Sequence, residues 1–110
     1  VLRPRHIAFI AACVANLGLH AQDDRALADS LISLLPHLPA DSEKVYVYRD
    51  IAYYLRPIDP QQAMLHAEKG ERMARGLGLL VGRIDNLYQK ALIWEELDQR
   101  DSSRAYFGRC

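Results

Sequence analysis

The sequence predicts an all-α fold built from antiparallel helical hairpins, and three observations predict it. Beyond Gln22 the apolar residues recur at about 3.6-residue spacing, the period of a helix with one buried face. No stretch alternates polar and apolar residues long enough for a convincing strand. In "DPQQAMLHAEKGERMARGLG" (59–78), Ala63, Ala67, Gly70 and Ala74 follow i, i+4, i+7, i+11 spacing, a helical stripe of almost nothing but small side chains.

The chain opens with "VLRPRHIAFIAACVANLGLHAQ" (1–22): two arginines, an apolar run from Ile7 to Leu19 broken by Asn16 and Gly18, then Ala21. Basic, then apolar, then small is the order of a secretory signal peptide, cut after Ala21. The run is too short to span a bilayer. "IAAC" (10–13) has the form of a lipobox, although its apolar run is unusually short. The alternative is an apolar N-terminal helix of a preceding repeat, but residues 7–15 lack the polar face such a helix presents.

Residues 23–40 read as a leading helix and a proline-rich turn. Ala26, Leu27, Ser30, Leu31 and Leu34 mark its apolar face, and Pro36 and Pro39 stop it. Asp41 or Ser42 caps a second helix, with Val45, Tyr48, Ala52 and Leu55 on one face and Pro57 beyond its end. Asp59 caps a third, whose first position is Pro60, a residue with no N–H to leave unpaired there. Gly76 and Gly78 close it. A fourth helix covers about 82–97, with Ile84, Leu87, Ala91, Trp94 and Leu97 facing inward. "DQRDSSRAYFGRC" (98–110) then turns at Asp101, with Ser102 and Ser103 as caps or first-turn residues, and starts a fifth.

A shift of 42 residues places Tyr46 on Tyr88, Ile51 on Ile93, Leu55 on Leu97, Asp59 on Asp101 and Ala63 on Ala105. Two successive helix–turn–helix units, the second cut short, account for these coincidences. The small stripe lets the facing helix approach closely, with Leu65, Met73 and Leu77 filling the seams beside it. Gly70 costs roughly 1 kcal/mol of helix preference relative to Ala, so close packing is the reason for it. Tyr48 and Trp94 are assigned to the core.

"LYQKALIWEEL" (87–97) and "DPQQAMLHAEKGERMA" (59–74) resemble the first and second helices of a tetratricopeptide repeat, in the variety with a longer turn. Lys90 and Arg49 depart from the family's aliphatic and small-residue positions. The resemblance covers about 42–110 and implies a short α-solenoid of about two units and a partial one over 41–110. Asp29-Ser30-Leu31, Asp59-Pro60 and Ala63 are also similar to the extracytoplasmic N-terminal regions of bacterial sensor histidine kinases that carry such repeats. That likeness implies an exported, periplasmic sensory part of a two-component signalling protein. A chain stopping inside a helical pattern reads as a piece of a longer one.

Composition narrows the chemistry. Fourteen Lys and Arg balance fourteen Asp and Glu, so there is no electrostatic case for binding nucleic acid. Cys13 and Cys110 form no disulfide framework. His6, His20, His37 and His66 are scattered, and "HAE" (66–68) lacks the second histidine of a zinc helix, so His66 reads as a solvated residue. "GLGLLVG" (76–82) has a phosphate loop's glycines without its strand or its Lys-Ser, and reads as a turn. No catalytic group, metal or cofactor is expected. The family resemblance makes the first helix of each hairpin line a concave face: Glu43, Tyr46, Asp50 and Tyr53, then Asp85, Tyr88, Leu92 and Glu95. Tyrosines give rigid contact area and carboxylates select basic or amidic groups, which fits a protein or peptide ligand. The alternative is that Tyr46 and Tyr88 pack between hairpins in a spacer or dimerisation module without a specific ligand. A cytosolic regulator is a further reading. Since one repeat cannot bury its apolar face alone, marginal stability or self-association is expected.

Overall fold

A computed structural model describes residues 17–108, with side chains over 22–102. Four helices follow one another: α1 (Leu17–Leu34), α2 (Ser42–Leu55), α3 (Pro60–Leu77) and α4 (Leu80–Gly108), with a short 3-10 turn at Leu35–His37 after α1. There is no strand among the described residues. The all-α expectation holds. Residues 1–16 of the leader-like segment lie outside the described residues, while 17–22 open α1.

The helix ends form where local chemistry demands them. The Asp41 carboxylate accepts the Glu43 N–H at 3.0 Å and that of Asp59 accepts the Gln62 N–H at 3.2 Å, each satisfying a first-turn donor. Gly78 ends α3 at φ 71°, a left-handed conformation natural to glycine. The N–H of Leu79 then donates to Ala74 O at 2.8 Å and that of Gly78 to Arg75 O at 3.2 Å, a Schellman closure that reverses the chain into α4. Gly76 lies within α3 rather than beyond it.

Packing follows from the small stripe. Ala63, Ala67, Gly70 and Ala74 are all buried, and a Cβ on Gly70 would stand 2.8 Å from Tyr48 Cβ and 2.7 Å from Asn86 Cγ. Gly70 is therefore where α2, α3 and α4 come closest. Gly82 plays the same part between α4 and α2, where a Cβ would meet Val45 Cγ1 at 2.7 Å. α2 packs against α3, α3 against α4, α1 against α2, and α2 also touches α4. Contacts of 45 with 82, 49 with 85 and 57 with 100 run in step, so α2 and α4 are parallel. Contacts of 74 with 82 and 71 with 83 run in opposition, so α3 is antiparallel to α4. The main apolar cluster joins Ala28, Ile51, Ala52, Leu55, Ala63, Ala67 and Ile93.

Several expectations fail, each for a packing reason. In α4 the inward side chains are Gly82, Asn86, Gln89 and Ile93, with Leu97 half-buried, whereas Ile84, Leu87, Ala91 and Trp94 face outward, Trp94 being 63 % exposed. Close approach to α2 and α3 selects slim side chains at the crossing and turns the bulky ones away. The 42-residue offset thus fails as a packing register, because it sets buried Val45 on exposed Leu87 and buried Ala52 on exposed Trp94. In α1 the inward face is Ala28, Leu31, Ile32 and, beyond its end, Leu35; Ala26, Leu27, Ser30 and Leu34 are exposed. Leu65 and Leu77 are exposed rather than filling seams, and Met73 is half-buried.

The expected turn at Asp101 and fifth helix are replaced by the single 29-residue α4. Asp101 is followed by Ser102 where Asp59 is followed by Pro60, and no proline interrupts residues 97–107. The i−4 hydrogen-bond ladder therefore continues unbroken, and Ser102 and Ser103 sit inside a helix instead of capping one. His66 is buried, not solvated: its Nδ1 donates to Gln62 O at 2.8 Å, and its ring lies 6.2 Å from that of Tyr48.

Candidate functional site

α2 and α4, lying side by side, present the eight residues named above on one face. Their i, i+3, i+7, i+10 spacing keeps each set on a common side of its helix. Tyr46, Asp50, Asp85 and Leu92 are half-buried, while Glu43, Tyr53, Tyr88 and Glu95 are exposed.

Arg49 ties the first half of this face together. Its guanidinium stands 3.0 Å from Asp50 on its own helix and 3.0 Å from Asp85 on α4, and 4.8 Å from the centre of the Tyr46 ring, a cation–π distance. Burial works against the charge on Arg49. The hydrogen bonds and charges of Asp50, then Asp85, outweigh it and raise its pKa above the ordinary arginine value. Tyr46, Asp50 and Asp85 thus meet around one permanent cation. The second half gathers around Arg56, which lies 5.9 Å over the Tyr53 ring. Tyr53 in turn meets Tyr54 edge-on at 5.2 Å. Arg56, Leu92, Glu95, Glu96 and Gln99 line a shallow depression there.

This arrangement revises the chemistry expected of the acidic groups. Asp50 and Asp85 share the single charge of Arg49, which offsets one of their two, so they attract a basic ligand less than two free carboxylates would. Glu43 and Glu95 have no ion-pair partner among the described residues and are the carboxylates left to attract one. Tyr88, 61 % exposed, does not pack between hairpins within the described residues. Arg49 and Arg56 were not among the expected site residues. The signal for Arg49 lay in plain view: an arginine at a small-residue position, beside an aspartate.

A polar contact of another kind sits beneath the face. Asn86 is fully buried, and its Nδ2 donates to Gly82 O at 2.9 Å and to Val45 O at 3.4 Å. Its Oδ1 finds no donor and lies against Gly70. Glu71, also buried, accepts from Arg83 Nε at 3.2 Å and has Arg75 at 3.7 Å, linking α3 to α4. Among the described residues no three His, Cys, Asp or Glu side chains cluster as metal ligands, and no helix is long and apolar enough to cross a membrane. No family model, curated protein or solved structure matches the chain.

Proposed function

We propose that this chain is a non-catalytic helical-repeat module of tetratricopeptide type whose α2–α4 face binds a protein or peptide. The observation that carries the reading is the tyrosine row on that face. Tyr46 and Tyr53, beside Arg49 and Arg56, and Tyr88 on α4 are left half-buried or exposed, although a chain with half its residues hydrophobic has ample apolar material for its core. Rigid aromatic side chains held on neighbouring helices are good contact anchors. The α2–α3 hairpin, followed by α4 returning parallel to α2, supports the stacked-hairpin reading. The leader-like start and the sensor-kinase resemblance supply its second half, an exported sensory role. Cleavage after Ala21 would leave Ala28, Leu31, Ile32 and Leu35 of the α1 packing face intact.

A peptide array spanning basic and amidic sequences, probed with the labelled chain, tests the binding claim. Wild type binds a defined subset, and Tyr46→Ala/Tyr53→Ala/Tyr88→Ala loses it while keeping its helical circular dichroism. Unchanged binding by the triple variant, or no bound subset at all, leaves a spacer without a ligand. N-terminal sequencing of the exported product tests the second half: a mature chain that keeps Ile7–Leu19 rules out cleavage.

A further inference from the structure

α4 presents two contrasting sides. One side packs on α2 and α3 through Gly82, Asn86, Gln89 and Ile93. The other carries Leu80, Ile84, Leu87, Ala91 and Trp94 at i, i+4, i+7, i+11, i+14, the spacing of a two-helix seam. The four large side chains of that seam are 41 to 67 % exposed. A contiguous stripe of large apolar side chains left on the outside of a helix marks a contact surface. This seam is also distinct from the tyrosine face, which lies along Asp85, Tyr88, Leu92 and Glu95.

We propose that this seam is a homodimer interface in which α4 packs antiparallel on α4 of a second copy about a two-fold axis at Ala91. Three observations select a second copy as the occupant. The first is charge. Arg83 flanks the N-terminal end of the seam, while Asp98 and Asp101 continue the seam beyond Trp94. At about 1.5 Å per residue, Arg83 lies about 12 Å before Ala91 and Asp101 about 15 Å after it. Arg83 and Asp101 also fall on the same flank of the helix, and a two-fold axis across the helices keeps flanks together. Each Arg83 is therefore set opposite the acidic end of the other copy. Among the described residues Arg83 commits Nε alone, to Glu71, and its terminal nitrogens are the donors for that pairing.

The second observation is area. The seam exposes about 450 Å² of apolar-residue surface, so two copies together reach about 900 Å², close to the lower bound for a specific interface. The third is shape. Ala91, the one small residue of the seam, stands at the crossing point, where two backbones approach closest. Leu87 of each copy then meets Trp94 of the other. The formal net charge of zero adds no repulsion between copies.

The chain carries a single tryptophan, so Trp94 reports on the seam directly. Sedimentation equilibrium of the full chain should give a monomer–dimer equilibrium, with Trp94 emission shifting to shorter wavelength as dimer forms. Leu87→Lys, at an exposed position, should abolish both while leaving the helical spectrum intact. Asp98→Lys/Asp101→Lys should weaken association by about tenfold or more, in line with the loss of paired interfacial charge. In a Cys13→Ser/Cys110→Ser background, Ala91→Cys should form an intermolecular disulfide and Leu80→Cys should not, since only residues near the axis meet their own copies. A monomer at all concentrations overturns the proposal, whatever its Trp94 emission. Association unaffected by Leu87→Lys, or equal cross-linking by Leu80→Cys, overturns it too. The tyrosine-face variants play no part in these readouts, so the two proposals fail separately.

Discussion

Replacing Gly70 by alanine should destabilise the protein, although helix propensity alone predicts the reverse. In a helix interior Ala is favoured over Gly by roughly 1 kcal/mol. At Gly70, however, the new methyl would stand 2.8 Å from Tyr48 Cβ and 2.7 Å from Asn86 Cγ. Tyr48 Cβ moves only with the α2 backbone, so no rotamer change removes that overlap and the helices must part. Overpacking of this kind costs about 1–3 kcal/mol, and separation forfeits further contacts along the stripe. Less the propensity gain, a net loss of about 1 kcal/mol or more is expected. Gly76 supplies the control: it lies in the same helix, and a Cβ there meets nothing within 4 Å. Gly76→Ala should therefore stabilise by up to about 1 kcal/mol. Urea denaturation followed at 222 nm measures both as shifts in midpoint at constant slope. Combining Gly70→Ala with Asn86→Ala should recover part of the loss, because one of the two obstructions is gone. If Gly70→Ala stabilises as Gly76→Ala does, the three-helix crossing is not where these contacts place it.

Other perturbations probe the remaining contacts. Asn86→Ala removes the bond to Gly82 O and empties a fully buried site, and should cost about 1–3 kcal/mol by the same denaturation assay. Glu71→Ala removes the α3–α4 ion pair; because Arg83 and Arg75 are 44 % and 56 % exposed and can be solvated in its absence, the loss should stay near 1 kcal/mol. A thermal melt should show this as a fall of several degrees, with little further loss in high salt. Arg49→Met removes the cation between Asp50 and Asp85. Stability should fall by about 1 kcal/mol at most, since the cluster is one-third exposed. Binding of basic peptides, read by fluorescence anisotropy, should strengthen as the two carboxylates are released.

What the sequence disclosed was decided locally. Asp41, Asp59-Pro60 and Gly78 act within one turn of their own positions, and the stripe from Ala63 to Ala74 is a period within one helix. What it hid was decided by contact between helices. Reading α4 by its largest apolar residues points Trp94 and Leu87 inward. The true inward face is Gly82, Asn86 and Gln89, because α3 offers a glycine at the crossing and α2 offers a backbone carbonyl. Neither partner is visible in the residues of α4 alone. His66 was misjudged for a different reason: its Nδ1 donates within its own helix, to Gln62 O one turn back, which lets the ring be buried beside Tyr48. The continuation of α4 past Asp101 shows the limit of motif matching, since an aspartate without the following proline does not end a helix. On the α2–α4 face, spacing put each set of tyrosines and carboxylates on one side of its helix, while the choice of that side came from the family resemblance. The sharing of Arg49 between Asp50 and Asp85 was not legible, because it depends on bringing Asp85 across from another helix.

The closeness of Gly70 to Tyr48 has a mechanical consequence. Where two rods touch through long, flexible side chains, their separation can breathe as those chains change rotamer. Here a bare α-carbon rests against a β-carbon, and both are fixed to main chain by covalent geometry. The closest approach of α2 and α3 is thereby limited by atoms fixed to the main chain and not by rotamers. The aromatic row on the outer side of α2 inherits that stiffness, so a ligand docking there would forfeit little freedom on the protein's side.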